Sequence, residues 1–129
     1  MKRFFICLLF CFANSVGFSQ TKISVQETAN HTGDTVMLID KVYSNKVLEN
    51  GINLLDLGGK FPNQLLTLTI SAKVVSSFAY NPAKYLQGKQ ILVTGKVVDN
   101  QGKHVIEITD PSQIQELRFN DPKIDLKGF

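Results

Sequence analysis

An all-β domain with short helices, closed as a five-stranded Greek-key barrel, is the fold class that these 129 residues predict. Three observations point to it. After residue 35 the chain carries five segments of strand chemistry, a proline-started helix interrupts them between the third and the fourth, and the other connections are short polar or glycine-rich turns. A doubly wound sheet would need a crossover helix after nearly every strand. An immunoglobulin-like sandwich needs about seven strands, more than are legible here.

The first nineteen positions stand apart from this plan. Lys2 and Arg3, an apolar run from Phe4 to Phe12 and the small-residue site Gly17-Phe18-Ser19 read as a secretory signal peptide over residues 1–19, cleaved between Ser19 and Gln20. Phe10 stands where a lipoprotein-processing enzyme wants a small side chain, which disfavours a lipidated Cys11. Both cysteines, Cys7 and Cys11, leave with the leader, so the mature chain has no disulfide framework, thiol nucleophile or cysteine zinc site. Of the 14 basic residues two leave as well, and the remaining twelve against 11 acidic ones give a net charge of +1. That balance excludes a strongly basic nucleic-acid binder. No apolar run approaches the ~20 residues of a membrane span. The expected product is exported and soluble, periplasmic or extracellular.

Residues 20–34 form an N-terminal segment with a short helix, since Ser24 and Glu27 make a capping box and Gly33 a stop signal. The barrel domain is expected over 35–115. Its first strand, Val36 to Tyr43, is rich in β-formers, and its alternation slips near Ile39 as at a bulge. A polar turn over 44–51 leads to the second strand, Ile52 to Leu57, and the loop Gly58 to Asn63 follows. Leu66 to Lys73 alternates most cleanly, with Leu66, Leu68, Ile70 and Ala72 inward and Thr67, Thr69, Ser71 and Lys73 outward. Pro82 starts a helix within Ser77 to Leu86 that plugs one end of the sheet. The fourth strand runs from Gln90 to Val98 with a bend at Gly95, turns at Asp99 to Gly102, and pairs with the fifth, Lys103 to Thr109. Asp110-Pro111-Ser112 ends that strand and starts one helical turn through Ile114, and residues 116–129 read as a loose C-terminal tail.

Three strands, a helix and two strands is the order of the OB-fold. Ala29 to Val36, Leu55 to Gln64, Tyr85 to Val97 and Ile106 to Ile114 resemble a bacterial family of small exported OB-fold domains, related to the anticodon-binding-like modules associated with secreted nucleases. The resemblance covers residues 24–115, carried most specifically by Gly88-Lys89-Gln90-Ile91-Leu92-Val93-Thr94-Gly95-Lys96-Val97 and Ile108-Thr109-Asp110-Pro111-Ser112-Gln113-Ile114. It implies a barrel that binds nucleic acid and supplies no catalytic residues, because the nuclease chemistry of such proteins lies in another domain.

The residues themselves also argue for a binding module and against an enzyme. No Gly-x-Ser-x-Gly elbow or paired carboxylates are recognisable, so no catalytic residue is assigned. His31 and His104 are not at ligand spacing from another histidine or a cysteine, and no metal or cofactor is expected. Gly58 to Asn63 lacks the Gly-Lys-Ser/Thr ending of a phosphate loop and reads as a shape-determining turn. OB barrels hold single strands on basic grooves with aromatic stacking platforms. The candidates for that role are Lys41, Tyr43, Lys46, Lys60, Phe61, Lys73, Lys96 and Lys103. Each lysine could equally be an edge-protecting charge. Weak binding of single-stranded DNA or RNA, or of an oligosaccharide, is the leading expectation. Docking on an envelope protein without a nucleic-acid ligand is the alternative, and sequence does not give the oligomeric state. N-terminal sequencing of exported material is expected to begin at or within two residues of Gln20, and a lipidated Cys11 at the mature N-terminus is the contrary result.

Overall fold

The computed structural model describes residues 21–118. The signal-peptide expectation for 1–19 and most of the expected tail lie outside them. Five strands close a barrel: β2 (Thr35–Val47), β3 (Asn53–Leu57), β4 (Leu66–Ile70), β5 (Gln90–Asn100) and β6 (Lys103–Ile108), preceded by the two-residue β1 (Thr21–Lys22) and followed by β7 (Ile114–Glu116). The sheet order is β1-β2-β3-β4-β6-β5-β7, and β2 pairs with β5 to close the ring. Only β1–β2 and β4–β6 are parallel. This is the OB-fold that the element order predicts.

Closure requires two strands that serve both halves of the barrel. β2 pairs with β5 from Thr35 to Lys41 and with β3 from Val42 to Val47. The register slips between Val42 and Ser44, so the bulge falls at Tyr43, not near Ile39 as the alternation suggests, because the partner change determines where the strand must coil. The strand also runs on through Val47, where the sequence suggests a turn from Ser44: pairing with β3 outweighs the polar side chains of Ser44, Asn45 and Lys46. β5 makes the complementary change, pairing with β2 up to Lys96 and with β6 from Val97. Gly95 sits at that change, facing inward, and a Cβ added there would lie 2.4 Å from Ile106 Cγ2. The expected bend is thus a place where the backbone meets a core side chain too closely for any β-carbon.

Inside the ring, Val36, Leu38, Leu55, Leu57, Leu66, Leu68, Ile70, Ile91, Val93, Val97 and Ile106 are fully buried, the period-2 pattern of closed antiparallel strands. Both ends are plugged. A 3₁₀ helix over Val25–His31 buries Val25 and Thr28. Its capping box forms as expected, with the Ser24 N–H donating to Glu27 Oε1 at 2.9 Å and the Ser24 hydroxyl to the same oxygen at 3.1 Å. These two donors hold the Glu27 carboxyl below its ordinary pKa. At the other end α1 (Ala72–Val75) and α2 (Pro82–Tyr85) cross the opening, and Ala83 and Leu86 are fully buried. Pro82 starts α2 as expected, capped by Asn81, whose side chain also accepts from Asn53 Nδ2 at 3.3 Å.

Two further differences from the sequence reading have local causes. The third strand stops at Ile70, because the Ser71 hydroxyl accepts from Val74 N–H at 3.3 Å and caps α1, which takes Ala72 and Lys73 out of the sheet. The chain after the 3₁₀ turn Pro111–Gln113 pairs as β7 against β5, and Leu117 N–H donates to Gln90 O at 2.9 Å, so regular hydrogen bonding passes the expected domain end at 115. β5 and β6 are joined by Gln101 and Gly102, both at positive φ (55° and 85°), the two-residue hairpin turn that Asp99 to Gly102 signals. Gly95→Val is expected to cost about 1 to 3 kcal/mol through overpacking against Ile106, lowering the melting temperature by several degrees. An unchanged transition in thermal unfolding would contradict the close approach.

Candidate nucleic-acid interface

Pairing registers place the outward side chains in rungs across the barrel. One rung runs Ser44, Asp56, Thr67, Val105, Val98 and the next carries Lys46, Leu54, Thr69 and Glu107. The face of β3 and β4, on which such barrels commonly hold their ligands, therefore has a carboxylate at its centre. Asp56 is only 5% exposed. The Ser44 hydroxyl donates to its Oδ2 at 2.7 Å and the Thr67 hydroxyl to its Oδ1 at 3.1 Å. Ser44 Oγ in turn accepts from the Phe61 N–H at 3.0 Å, and Asp40 Oδ2 accepts from Gly58 N–H at 2.6 Å. Two carboxylates on neighbouring strands thus tie down the 58–65 loop and fix where Phe61 stands. A face centred on an acid, without an aromatic in either rung, is poorly suited to a phosphate backbone.

The aromatic side chains lie beside that face, on a stripe across the β2 seam. Phe61 is 64% exposed, and Lys103 Nζ lies 6.0 Å from its ring centroid. Its backbone rests on Ser44, the residue after Tyr43, and Lys41 Nζ lies 5.4 Å from the Tyr43 ring. Beyond Tyr43, Gln87 Nε2 donates to the Tyr43 carbonyl at 3.0 Å, and Val42 N–H donates to Lys89 O at 3.0 Å. Lys89 Nζ lies 4.7 Å from the Tyr85 ring, itself 4.6 Å from Tyr80. Each of the three lysine–aromatic pairs is at cation–π distance, and hydrogen bonds tie the Phe61 backbone to Ser44 and the Lys89 backbone to Val42, on either side of Tyr43 in β2. The far end is buttressed by Tyr85 Oη, which donates to Glu116 Oε1 at 2.7 Å, and by Arg118 at 3.5 Å from the same oxygen. Burial, with the Glu116 charge and Tyr85 nearby, raises the Tyr80 phenol above its ordinary pKa.

The structure pairs Lys41 with Tyr43 and Lys103 with Phe61, and ties the Phe61 backbone to Ser44 beside Tyr43, while Lys46, Lys73 and Lys96 lie elsewhere. Lys46 lies past Ser44 near the end of β2, opposite Leu54. Lys73 is on α1 at the plugged end, not on the outward row of a strand. Lys96 pairs with Thr35, six residues from Lys41 along β2, or about 20 Å. Tyr85 and Lys89 were missed from sequence. Their segment reads as a plug and a turn, and the only signal is an aromatic four residues before a lysine. Among the described residues no group of three or more His, Cys, Asp or Glu side chains is placed to hold a metal ion. His31 Nδ1 is 3.1 Å from Asp34 Oδ2.

No family model matches the chain, and no curated protein matches it. Solved structures do. The chain shares their fold. A putative aspartyl-tRNA synthetase from Leishmania major superposes with a TM-score of 0.54 at 10% identity, over 78% of this chain and 21% of that one. The Stn1 and Ten1 structure from yeast gives 0.53 at 10% identity, over 78% and 64%. An OBody bound to hen egg-white lysozyme gives 0.51 at 14%, over 79% and 98%. This chain therefore spans less than two thirds of the synthetase and of the yeast chain. Ser44→Ala is expected to destabilise by about 1 to 2 kcal/mol, since it removes one donor to Asp56 and the acceptor of Phe61 N–H. Amide exchange at Phe61 should quicken with it, and unchanged exchange would show that the loop is held by other means.

Proposed function

We propose that this protein is an exported OB-fold module that binds single-stranded nucleic acid along the β2 stripe and performs no catalysis of its own. The observation that carries the reading is the set of three lysine–aromatic pairs, Phe61 with Lys103, Tyr43 with Lys41 and Tyr85 with Lys89, two of them tied by hydrogen bonds to the part of β2 that holds the third. Bases stack on aromatic faces whatever their identity, and lysines between the rings neutralise successive phosphates. Lys60 next to Phe61 adds a further cation. The fold is shared with a protein named for tRNA aminoacylation, which agrees with this use. The expected leader at residues 1–19 supports a ligand met outside the cytoplasm, in the periplasm or beyond.

The near-neutral charge sets the strength. Affinity comes from a handful of local lysines, so binding is weak and salt-sensitive. A second reading, docking on an envelope protein, is favoured by a different patch: Val98 (40% exposed) faces Val105 across β5 and β6, and Leu65 (41% exposed) stands by the same outer face. A barrel of this fold holding a protein, as the OBody holds lysozyme, agrees with that use.

Fluorescence anisotropy with labelled single-stranded DNA and RNA, and with an acidic polysaccharide, tests the first reading. Replacing Lys41, Lys89 and Lys103 together by Gln is expected to flatten the log–log salt slope by about two, at ~0.7 per phosphate for single strands. Phe61→Ala should cost about 1 to 3 kcal/mol of binding at an unchanged melting temperature. Absence of binding at micromolar protein in low salt would remove this reading and leave the protein-docking one.

A further inference from the structure

Next to Phe61 and Lys103, a cleft of about 210 Å³ opens between the 3₁₀ helix, the 58–65 loop and the β5–β6 hairpin. Val25, Ala29 and Leu65 give it apolar walls, and Gln64, His104 and Lys103 supply polar groups. Its volume is below the roughly 300–1,000 Å³ of a drug-sized site, which suits a single ring system.

Gln64 gives the cleft its chemical sense. Its Nε2 donates to Thr67 Oγ1 over a long 3.4 Å, and the Thr67 proton is already given to Asp56, so the amide cannot be reversed without losing that bond. Gln64 Oε1 is left buried with no hydrogen-bond partner among the described residues. Buried acceptors are almost always matched by a donor, so Gln64 Oε1 calls for one from outside the chain, an ordered water or the N–H of a bound group. Turning the amide into the cleft breaks only the 3.4 Å bond. The group that fits is flat, apolar on its faces and carries N–H on its edge. Lys103, on the cleft wall and also 6.0 Å from the Phe61 ring, stands ready for an attached phosphate.

We propose that this cleft takes one unstacked nucleobase, its N–H edge on Gln64 and its phosphate on Lys103, and so anchors one end of a strand lying on the stripe. The inference rests on the strand-binding reading and adds to it a pocket that a stacking surface alone would lack.

The test uses two probes on the whole mature protein. In ¹⁵N-detected NMR with adenosine monophosphate, the Gln64 side-chain amide and the Ala29 and His104 backbone signals are expected to move in the wild type and to stay still in Ala29→Leu, which fills the cleft from its exposed rim. With labelled single-stranded oligo(dA), Ala29→Leu and Gln64→Leu should each weaken binding about five- to tenfold while leaving the salt slope unchanged, because no phosphate contact is lost. Melting temperatures within about 2 °C of wild type confirm that both variants fold. If the strand binds but neither variant weakens it and the Gln64 amide does not move, the cleft proposal is overturned and the stripe stands. If the mononucleotide moves the Gln64 amide but no strand binds, the cleft is supported and the stripe fails. No response to either probe overturns both.

Discussion

Barrel closure through the β2–β5 pairing is the constraint on which the rest of this structure depends. A five-stranded sheet can leave no free edge only if two strands are long enough to pair first on one side and then on the other. β2, with thirteen residues, and β5, with eleven, do this, and each must bend where it changes partner. In β2 the bend is a bulge at Tyr43, and in β5 it is the inward-facing Gly95 against Ile106. The bulge has a functional consequence. It brings Tyr43 to the seam between the two halves, beside Ser44 and below the segment from Tyr85 to Lys89, so the place where closure strains regular pairing is also where aromatic and basic side chains gather.

The 58–65 loop depends on the same seam. Asp40 belongs to the part of β2 paired with β5, and Ser44 to the part paired with β3. The loop is tied to both, directly at Gly58 and through the hydroxyl of Ser44 at Phe61. Asp56 completes the arrangement from β3. Its negative charge occupies the middle of the outer face, which disfavours an anionic ligand there. The acid thus supports the loop that carries Phe61, and it also makes the central face less suitable for a phosphate chain than the stripe beside it.

Shared fold with a synthetase and with Stn1 and Ten1 at 10% identity reflects how few constraints an OB barrel places on its surface. The core needs alternating aliphatic residues, one bulge, one close approach and plugs at both ends. Everything outward is free to differ. The reading of function therefore rests on particular side chains, the three lysine–aromatic pairs and the cleft beside them, and on how the barrel positions them.

The sequence by itself determined what local chemistry controls: the capping box at Ser24 and Glu27, the proline-started helix at Pro82, the hairpin turn before Lys103, the inward rows of Leu66 to Ile70, and a break in regular strand geometry at Gly95. These follow from backbone preferences and period-2 burial over a few residues, and their order was enough to give the barrel. Lys41 with Tyr43, and Lys60 with Phe61, were legible for the same reason, being near neighbours in the chain. The tertiary structure alone decided the rest. The bulge moved from Ile39 to Tyr43 because the partner change belongs to the closed sheet and not to the strand. Lys73 left the sheet because Ser71 found a helix to cap. Lys103 met Phe61, and Tyr85 with Lys89 came alongside Tyr43, across separations of about forty residues, where no periodicity in a sequence carries information. Only the pairing registers of a closed barrel bring Lys103 within cation–π range of Phe61.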